Sequence, residues 1–507
     1  HYNLGNTLRK LGELHTAIYH LQKSIEIDAN FSVAHHALGL CYSALNDRCS
    51  ASAEFRASLS INPQYMDSLR ELLRPYLNRK DVSIAESILF EFASENEKSG
   101  SFKGFQGLLY YLRGDLVQAK EILSVALSLD PRNGEILDSL GMTLHELGQI
   151  NEALSCYDQA ICLNPNASST YVHRALAHLE SGNFLQGWAD YEWRHHPDEA
   201  ILNPMPPLWD GCTSESTNLL IFREQGIGDE ILFSAYIPHV SQRVKNCILY
   251  CAPKLERLFA RSFPNVRVVS SVETIPDERP TCAVAIGSLP RHFPNVLLGS
   301  STRTPYLRAD SNRTSYWMTK LKSLRPGPKV GISWRGGTLE TNKSRRSLTL
   351  DALLPILRIS GMQFVSLQYT DCLAEVENFS TANSIQLTHW QDAIDDYHET
   401  AALVQSLDLV VSVCTSIVSL ANALAKPVWV LVPKRAGWMY GRHGVETIWL
   451  PSARLFRQEK HMEWEPVIAS VANALLQYQI SLDPECSNSE DSFMVQSASS
   501  HISLTNS

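Results

Sequence analysis

The sequence lacks several patterns that would assign it to a common class of protein. It contains no run of about 18 apolar residues, so we expect no transmembrane helix. Its 11 cysteines include no C-x-x-C pair, which excludes a zinc ribbon and a thioredoxin-type redox motif. The formal charge of -9 is mildly acidic and argues against a chain that wraps nucleic acid. Scattered thiols without a disulfide pattern favour a protein of the reducing cytoplasm.

The length of 507 residues exceeds what one hydrophobic core holds together, so we expect several domains. The first residue is His1, within a repeating pattern, which leads us to expect a fragment of a longer chain. Composition and periodicity predict a repeat array at 1–196, a linker at 197–217, an N-terminal α/β lobe at 218–325, a C-terminal α/β lobe at 326–480 and a disordered tail at 481–507.

The first of these segments repeats with a period of 34 residues. Glycines recur at multiples of this step, at Gly5, Gly39, Gly107 and Gly141. A second column of small residues begins at Ala17, and prolines such as Pro131 and Pro165 recur near the repeat ends. Small residues at two fixed positions let paired helices approach closely, and a proline stops the second helix. The columns resemble tetratricopeptide repeats and predict about six helix pairs, of which Met66 to Ser99 is degenerate.

Repeats of this type form a helical solenoid with a curved groove that usually holds a peptide or another protein. We therefore expect a protein partner in the groove. A spacer or dimerisation arm is the alternative, because a repeat fold specifies no ligand. The last unit ends in "FLQGWADYEWRHH", whose aromatic residues we expect to cap the apolar end of the stack.

Beyond the linker, short β-rich segments alternate with helical ones. The first lobe contains "NLLIF", "CILYC", "VRVVS" and "CAVAIG". The second lobe contains "VGISW", "FVSLQ", "SIQLT", "LDLVVSV", "PVWVLV" and "TIWL". Continuous apolar strands separated by helices predict parallel sheets that are covered on both faces. Two Rossmann-like lobes that meet across a cleft would bind a nucleotide-bearing substrate at the carboxyl ends of their strands.

The turn "REQGIGDEILF" follows the first of these strands. It has neither the third glycine of a dinucleotide fold nor the G-K-[ST] of a Walker loop. Beside Gln225, two glycines at Gly226 and Gly228 allow the backbone to come close to a ligand, and Asp229 falls at the start of the next helix. A carboxylate at that point can remove a proton from an acceptor hydroxyl. Capping of the helix by Asp229 is the structural alternative.

Several blocks of the second half are similar, in order, to heptosyltransferase-like glycosyltransferases of tetratricopeptide proteins. These blocks are "LWDG", "LLIFREQGIGDEILFSAYIP", "KVGISWRGG", "RRSLTL", "FVSLQ", "TAALVQSLDLVVSVCTSIVSLANALAKPVWVLVP" and "LFRQ". The resemblance implies a GT-B fold of two Rossmann-like lobes, with the acceptor on the first lobe and a nucleotide-sugar donor on the second. It also implies inversion at the anomeric carbon without a metal or another cofactor, and a general base at Asp229.

The second lobe supplies residues that would bind the donor. Cations and helix N-termini stabilise the charge that builds on a leaving diphosphate. The candidates are Trp334, Arg335, Lys343, Arg345, Arg346, Gln368, Thr415, Ser416 and Ser419. Structural alternatives exist for two of these features, because Trp334 would stack on a ligand or pack at a strand end, and the basic loop "NKSRRS" would be a solvated surface.

The sequence departs from the resembling family at two positions. The family usually has an aspartate before the threonine and a histidine before "LA", where this chain has Cys414 and Ser419. We interpret Cys414 as a buried strand-end thiol, because no local motif pairs it with a base. Two hypotheses follow. The chain is either a glycosyltransferase whose repeats recruit the protein or glycan acceptor, or a repeat scaffold with an inactive transferase-like domain.

Overall fold

The computed structural model describes residues 1–194, 204–275, 280–294, 296, 304–337, 343–369 and 371–481. The chain divides into two compact units, residues 1–195 and 196–507. The described part of the first unit is helical, and that of the second contains two parallel β-sheets with helices between the strands. Within the described ranges, no helix is both long enough and apolar enough to span a membrane.

The first unit consists of helices that pack in consecutive pairs, with one short additional helix. The helices are α1 Tyr2–Lys10, α2 Leu14–Ile27, α3 Ser32–Ala44, α4 Arg48–Ile61, α5 Met66–Asn78, α6 Val82–Glu91, α7 Ala93–Asn96, α8 Gly100–Arg113, α9 Leu116–Leu129, α10 Gly134–Leu147, α11 Ile150–Leu163, α12 Ser168–Glu180 and α13 Phe184–Tyr191. A short 3-10 turn, Glu192–Arg194, follows α13.

The glycine column lies where the two helices of a pair come closest. A Cβ atom placed on Gly39 would lie 2.6 Å from the Phe55 ring, and one on Gly141 would lie 2.5 Å from the Tyr157 ring. In both pairs the large partner lies 16 residues later, on the second helix. Because no side chain fits at these positions, the period in the sequence records a repeated packing contact.

The third helix pair differs from the others, as its degenerate sequence predicts. Leu73 occupies the position of the glycine and is fully buried. Glu97, which directly follows the short helix α7, stands where other repeats have a proline. The Asn96 amide at the end of α7 donates to the backbone oxygens of Pro63 and Phe92 at 3.0 and 2.9 Å. A buried side-chain amide therefore holds the end of this repeat, where a proline is absent.

Aromatic side chains pack at the end of the last pair. Trp188 and Tyr191 are buried, and Trp193 stacks on Tyr171 with ring centroids 4.1 Å apart. Trp188, Tyr191 and Trp193 belong to the segment that we expect to close the stack, and Tyr171 lies on the preceding helix α12. The last two residues of this segment, His195 and His196, lie outside the described residues.

The second unit contains a four-stranded and a six-stranded parallel sheet. Their strands are β1 Ser214–Phe222, β2 Val244–Tyr250, β3 Arg267–Val269, β4 Cys282–Ala285, β5 Lys329–Ser333, β6 Gln363–Ser366, β7 Leu387–Thr388, β8 Leu409–Val413, β9 Val428–Val432 and β10 Ala453–Arg457. The strand orders are β3-β2-β1-β4 and β10-β9-β8-β5-β6-β7. The predicted α/β architecture with parallel sheets is therefore confirmed.

Helices connect these strands and cover the sheets. They are α14 Ile227–Phe233, α15 Ile237–Ser241, α16 Glu256–Ser262, α17 Leu289–His292, α18 Ser311–Lys322, α19 Leu354–Leu357, α20 Leu373–Asn383, α21 Tyr397–Ser406, α22 Ser416–Ala423 and α23 Glu465–Ser481. Strands β8 and β9 are buried along their whole length, as expected for central strands that are covered on both faces.

Some predicted boundaries differ from the structure. The predicted linker contributes to the first sheet, because Leu208 bridges to Ala283 and β1 begins at Ser214. The apolar segment "TIWL" is a turn rather than a strand, since Trp449 and Leu450 are buried without pairing in a sheet, and the last strand is β10. Residues 197–203 of the linker and 482–507 of the predicted tail lie outside the described residues.

Candidate functional site

The candidate site lies where the strand order of each sheet reverses. In the four-stranded sheet the chain proceeds outward from β1 to β2 and β3, and then returns to the other side of β1 with β4. In the six-stranded sheet the same reversal separates β5 from β8. Ligands of open parallel sheets bind at such a reversal, outside the carboxyl ends of the strands. We therefore expect a ligand site at the loops that follow β1, β4, β5 and β8.

The turn between β1 and α14 forms the wall on the side of the first sheet. Gln225 adopts a left-handed backbone conformation with a φ of 59°, which costs a residue with a side chain roughly 1–2 kcal/mol. Such strain persists where the surroundings hold it, often at functional sites. Glu224 holds this turn, because its carboxylate accepts a hydrogen bond of 2.9 Å from the backbone N–H of Gly287 after β4.

Asp229 lies in the first turn of α14 and is half-buried. One carboxylate oxygen accepts a hydrogen bond of 3.2 Å from the backbone N–H of Gly226, and the carboxylate also interacts with the backbone N–H of Asp229 itself. Burial raises the pKa of Asp229 and Glu224 raises it further, whereas the Gly226 N–H and the Arg346 guanidinium lower it. One oxygen thus caps the helix, and the other remains able to accept a proton.

Helix α22 forms the opposite wall and touches the glycine turn of the first lobe. A Cβ atom placed on Gly228 would lie 3.4 Å from the Cα of Ser416 and 3.6 Å from the Oγ of Ser419. A second contact joins the lobes, because Arg257 of α16 forms an ion pair of 2.7 Å with Asp396 at the start of α21. The turn that bears Asp229 and the start of α22 therefore pack against each other at the junction of the two lobes, here termed the cleft.

Thr415 and Ser416 lie at the start of α22. Thr415 is the N-cap residue, and its Oγ1 accepts a hydrogen bond of 3.3 Å from the backbone N–H of Ile417. The Ser416 hydroxyl lies 2.5 Å from the hydroxyl of Tyr397, whose pKa is raised by burial to about 12, so this phenol stays protonated at neutral pH. The N-terminal N–H groups of the helix and the Ser416 hydroxyl together can hold an anion.

Arg346 reaches the cleft from the loop after β5. Its guanidinium packs on Gly337, where a Cβ atom would lie 2.4 Å from Nη2 and where φ is 87°. Nη1 donates to the backbone oxygen of Cys414 at 3.4 Å, and the buried Nε has no hydrogen-bond partner within the described ranges. A guanidinium with unused donors beside a helix N-terminus can bind a phosphate through charge-assisted hydrogen bonds.

Two residues predicted to bind the donor do not reach the cleft. Trp334 is 0% exposed and packs in the core of the six-stranded sheet, so it cannot stack on a base or sugar. Gln368 is also 0% exposed, and its amide oxygen accepts the backbone N–H groups of Trp334 and Arg335 at 3.1 and 2.9 Å. Its amide nitrogen donates to the backbone oxygen of Arg335 at 3.0 Å. Gln368 therefore positions the loop after β5.

The other basic residues after β5 differ in their surroundings. Arg335 forms an ion pair of 2.6 Å with Glu375 on α20, so its charge is already balanced. Arg345 lies near His461, whose pKa is lowered by burial and then by the cations of Arg435, which follows β9, and Arg345. The backbone of Lys343 begins a 3-10 turn, but its side chain lies outside the described residues.

Cys414 and Ser419 are both buried, at 4% and 5% exposure. Burial raises the pKa of the Cys414 thiol to about 11, so the thiol is protonated and unreactive at neutral pH. Ser419, predicted as a donor-binding residue, instead packs at the contact between α22 and Gly228. A histidine at that position would meet the glycine turn. The small side chain of Ser419 thus leaves room for the two lobes to approach each other closely.

Sequence reasoning missed two tyrosines beside the site. Tyr397 at the start of α21 contacts α22, and Tyr440 is buried in the loop after β9. Arg457 at the end of β10 holds this loop by donating to the backbone oxygens of Gly441 and Gly444 at 3.0 and 2.8 Å. The glycine-rich segment "GWMYGRHG" after an apolar strand was the available signal for this loop.

The acidic segment "DAIDD" has structural partners. Asp396 caps α21 and pairs with Arg257, and Asp392 lies 3.6 Å from Lys320. Within the residues that the structure describes, no three histidine, cysteine or acidic side chains come together in a way that could hold a metal ion.

Comparison with known proteins identifies the repeats. The family model of the tetratricopeptide repeat matches residues 1–31, 33–65 and 134–167. These ranges contain the first, second and fifth helix pairs. The prediction of tetratricopeptide repeats in the N-terminal region is confirmed.

Individual relatives share limited identity with the chain. Protein FlbA of Caulobacter vibrioides is 26% identical over 522 residues, which cover 90% of this chain and 86% of that protein. Superkiller complex protein 3 of Mus musculus is 25% identical over 201 residues, which cover 38% of this chain and 13% of that protein. A solved thermophilic tetratricopeptide repeat protein of Thermus thermophilus is 23% identical, with a TM-score of 0.30, and covers 35% of this chain and 97% of its own. The similarity to Protein FlbA extends beyond the repeats into the α/β unit.

Proposed function

We propose that the α/β unit is an inverting glycosyltransferase of the GT-B type that uses a nucleotide-sugar donor and no metal. The observation that carries the proposal is the opposition of Asp229 on one lobe to Arg346 and the start of α22 on the other. Metal-independent transfer from a sugar diphosphate requires a base that faces an anion-binding surface. The resemblance to heptosyltransferase-like enzymes supports the same conclusion from the sequence.

In the proposed reaction an acceptor hydroxyl gives its proton to Asp229 while its oxygen attacks the anomeric carbon of the donor sugar. A bond forms between this oxygen and the anomeric carbon, and the bond from that carbon to the phosphate oxygen breaks. The nucleoside diphosphate leaves with the bonding electron pair. Configuration inverts because attack and departure occur on opposite faces. The raised pKa of Asp229 makes its carboxylate a stronger base than an ordinary aspartate.

The leaving diphosphate needs positive charge and hydrogen-bond donors. Arg346 supplies a guanidinium whose Nε has no partner among the described residues, and α22 supplies its first N–H groups together with the hydroxyls of Thr415 and Ser416. Groups that are already in place stabilise the developing charge without reorganisation. The glycine turn at 225–228 would contact the acceptor or the donor phosphates from the other side.

We also propose that the tetratricopeptide repeats recruit the protein or glycan acceptor, or a partner protein. Repeats of this family suggest protein partners, because stacked helix pairs present an extended surface. An acceptor held on the same chain would have a raised effective concentration at the cleft. A cytoplasmic location belongs to the same proposal, since the ten cysteines in the described ranges are all free.

The first test measures donor binding to the full chain. UDP, GDP, ADP, CDP and their common sugar conjugates are added at millimolar concentration, and thermal unfolding is followed. At least one of them should raise the melting temperature, because a ligand that binds the native state stabilises it. No shift with any member of this panel would contradict the proposal.

The second test separates chemistry from binding. Asp229→Asn should lower the rate of transfer by at least about 100-fold, since a general base contributes roughly that factor or more. The thermal shift with the nucleotide should remain. Asp351→Asn, the same change at an exposed aspartate, should alter neither quantity. Loss of both transfer and shift in Asp229→Asn would mean that Asp229 is structural and not the base.

A repeat scaffold with an inactive transferase-like unit is the second candidate. The observation that favours it is the burial of Cys414 and Ser419, neither of which supplies the charged group of the resembling enzymes. This alternative predicts that the wild-type protein shows no transfer with any donor that it binds. Transfer that depends on Asp229 would exclude it.

A further inference from the structure

We propose that Tyr369 forms the nucleoside subsite of the cleft, where its exposed ring stacks on the base of a nucleoside diphosphate. This inference rests on the proposed function, because it takes Arg346 and α22 as the groups that hold the diphosphate. The Tyr369 ring gives the ligand an aromatic surface, which the buried Trp334 cannot provide.

Tyr369 is one of two exposed aromatic residues described in the second unit. It follows β6, the neighbour of β5, and is 39% exposed. Among the aromatic side chains described for this unit, Tyr316 is similarly exposed, but the Arg313 guanidinium lies 4.1 Å from the centre of its ring. An open aromatic face at the carboxyl edge of a parallel sheet lies where nucleotides bind in such folds.

The position of the Tyr369 ring is set by the loop that also carries the anion site. The Tyr369 hydroxyl accepts a hydrogen bond of 3.1 Å from the backbone N–H of Gly337. The Arg346 guanidinium packs on the α-carbon of the same glycine. Tyr369 and Arg346 therefore contact the same residue, Gly337, through different groups.

The same loop connects Tyr369 to the start of α22. A Cβ atom placed on Gly336 would lie 2.4 Å from Cγ2 of Thr415, the N-cap residue of α22. The next residue, Gly337, donates its backbone N–H to the Tyr369 hydroxyl. A nucleoside attached to a diphosphate at the start of α22 would therefore lie near the ring.

Stacking on a single tyrosine favours no particular base, because every base presents a π face to the ring. The subsite should therefore make every nucleoside diphosphate, whichever base it carries, bind more tightly than inorganic pyrophosphate. Selection among bases would come from polar groups around the ring.

The experiment compares four full-length proteins by isothermal titration at fixed salt: wild type, Tyr369→Ala, Tyr369→Phe and Tyr316→Ala. The probes are UDP, ADP, GDP, CDP and inorganic pyrophosphate. Tyr369→Ala should weaken the tightest nucleoside diphosphate by about tenfold, the effect of losing one base-aromatic stack. Pyrophosphate affinity should stay within about twofold, since it has no base to stack. Tyr369→Phe and Tyr316→Ala should bind like the wild type.

The other outcomes would contradict either the stacking subsite or the proposed function. Unchanged affinity of Tyr369→Ala for the nucleoside diphosphate, or equal losses for that ligand and pyrophosphate, would overturn the stacking subsite and leave the proposed function standing. A loss in Tyr369→Phe as large as in Tyr369→Ala would assign the effect to the hydroxyl and also overturn the subsite. Absence of binding of every probe to the wild type would overturn the proposed function itself.

Discussion

The two units differ in how far apart along the chain their contacting residues lie. In the repeats, Gly39 meets Phe55 and the same spacing recurs in other pairs, so each contact is local and repeated. In the α/β unit, Gly228 meets Ser416, and Arg346 acts on Asp229 from a distant loop. A contact that recurs at a fixed step leaves a period in the sequence. A contact that occurs once between distant loops leaves none.

The glycines of the two units also have different roles. In the repeats, a glycine makes room for one large buried side chain, so replacing it should affect stability. In the cleft, Gly228 faces the opposite lobe at ordinary van der Waals distance, so replacing it should affect ligand access more than folding. We therefore expect glycine substitutions to affect stability in the repeats and ligand binding in the α/β unit.

The largest effect is expected for Arg346→Ala. Its guanidinium lies beside the start of α22, and its buried Nε has no partner among the described residues. Hydrogen bonds between charged groups contribute about 1.5–3 kcal/mol. Affinity for pyrophosphate, measured by titration calorimetry at fixed salt, should fall by about 10- to 100-fold. Arg358→Ala, which removes an exposed arginine after α19, should leave it unchanged. Equal affinities in the two variants would mean that the anion is held elsewhere.

The next effect is on the stability of the repeats. Gly141→Ala places a Cβ atom 2.5 Å from the buried Tyr157 ring, and overpacking of this kind costs about 1–3 kcal/mol of unfolding free energy. Gly134→Ala, on the same helix, meets no atom closer than 3.6 Å and should be neutral or slightly stabilising. Urea unfolding followed by far-UV circular dichroism measures both. Equal stabilities would show that the glycine column does not record close packing.

A smaller effect is expected for the same substitution in the cleft. Gly228→Ala adds a methyl group 3.4 Å from the Cα of Ser416, an ordinary contact, so the unfolding free energy should change by less than about 0.5 kcal/mol. The methyl group occupies space beside the Ser416 hydroxyl, and affinity for a bound nucleoside diphosphate should fall several-fold. Calorimetric titration and urea unfolding of the same preparation test both. A large loss of stability without a loss of affinity would contradict the division between the units.

The smallest expected effect is a shift in the pH dependence of the transfer rate. Asp229 must be ionised to act as a base, so the rate should fall as the pH falls through its pKa. Burial and the Glu224 carboxylate raise that pKa, which places the acidic limb of kcat/KM above the ordinary value of about 3.9 for aspartate. Glu224→Gln should move the limb to lower pH by a fraction of a unit.

The control for this shift is Glu377→Gln, which neutralises an exposed glutamate on α20. Its pH profile should match that of the wild type. A limb that moves to higher pH in Glu224→Gln, or that moves equally in both variants, would remove Asp229 as the titrating base.

The sequence predicted the helix pairs and the parallel α/β architecture because both depend on the spacing of apolar and small residues within a segment. It also placed Asp229 at the start of α14 and Thr415 and Ser416 at the start of α22. It was wrong about "TIWL", because a short apolar run is equally compatible with a buried turn. It was also wrong about Trp334, since an aromatic residue at a strand end looks the same in the sequence whether it points to the core or to the cleft.

The sequence by itself determined the repeats, the alternation of strands and helices, and the glycine turn that carries an acid. Only the tertiary structure decided that Arg335 is paired with Glu375 while Arg346 keeps donors unused by the described residues, and that Tyr369 rather than Trp334 offers an exposed ring. The physical reason is that the spacing of residues along one element reports which face of that element is buried. The partners of side chains beyond the strand ends depend on how distant loops pack together, and no local spacing encodes that packing.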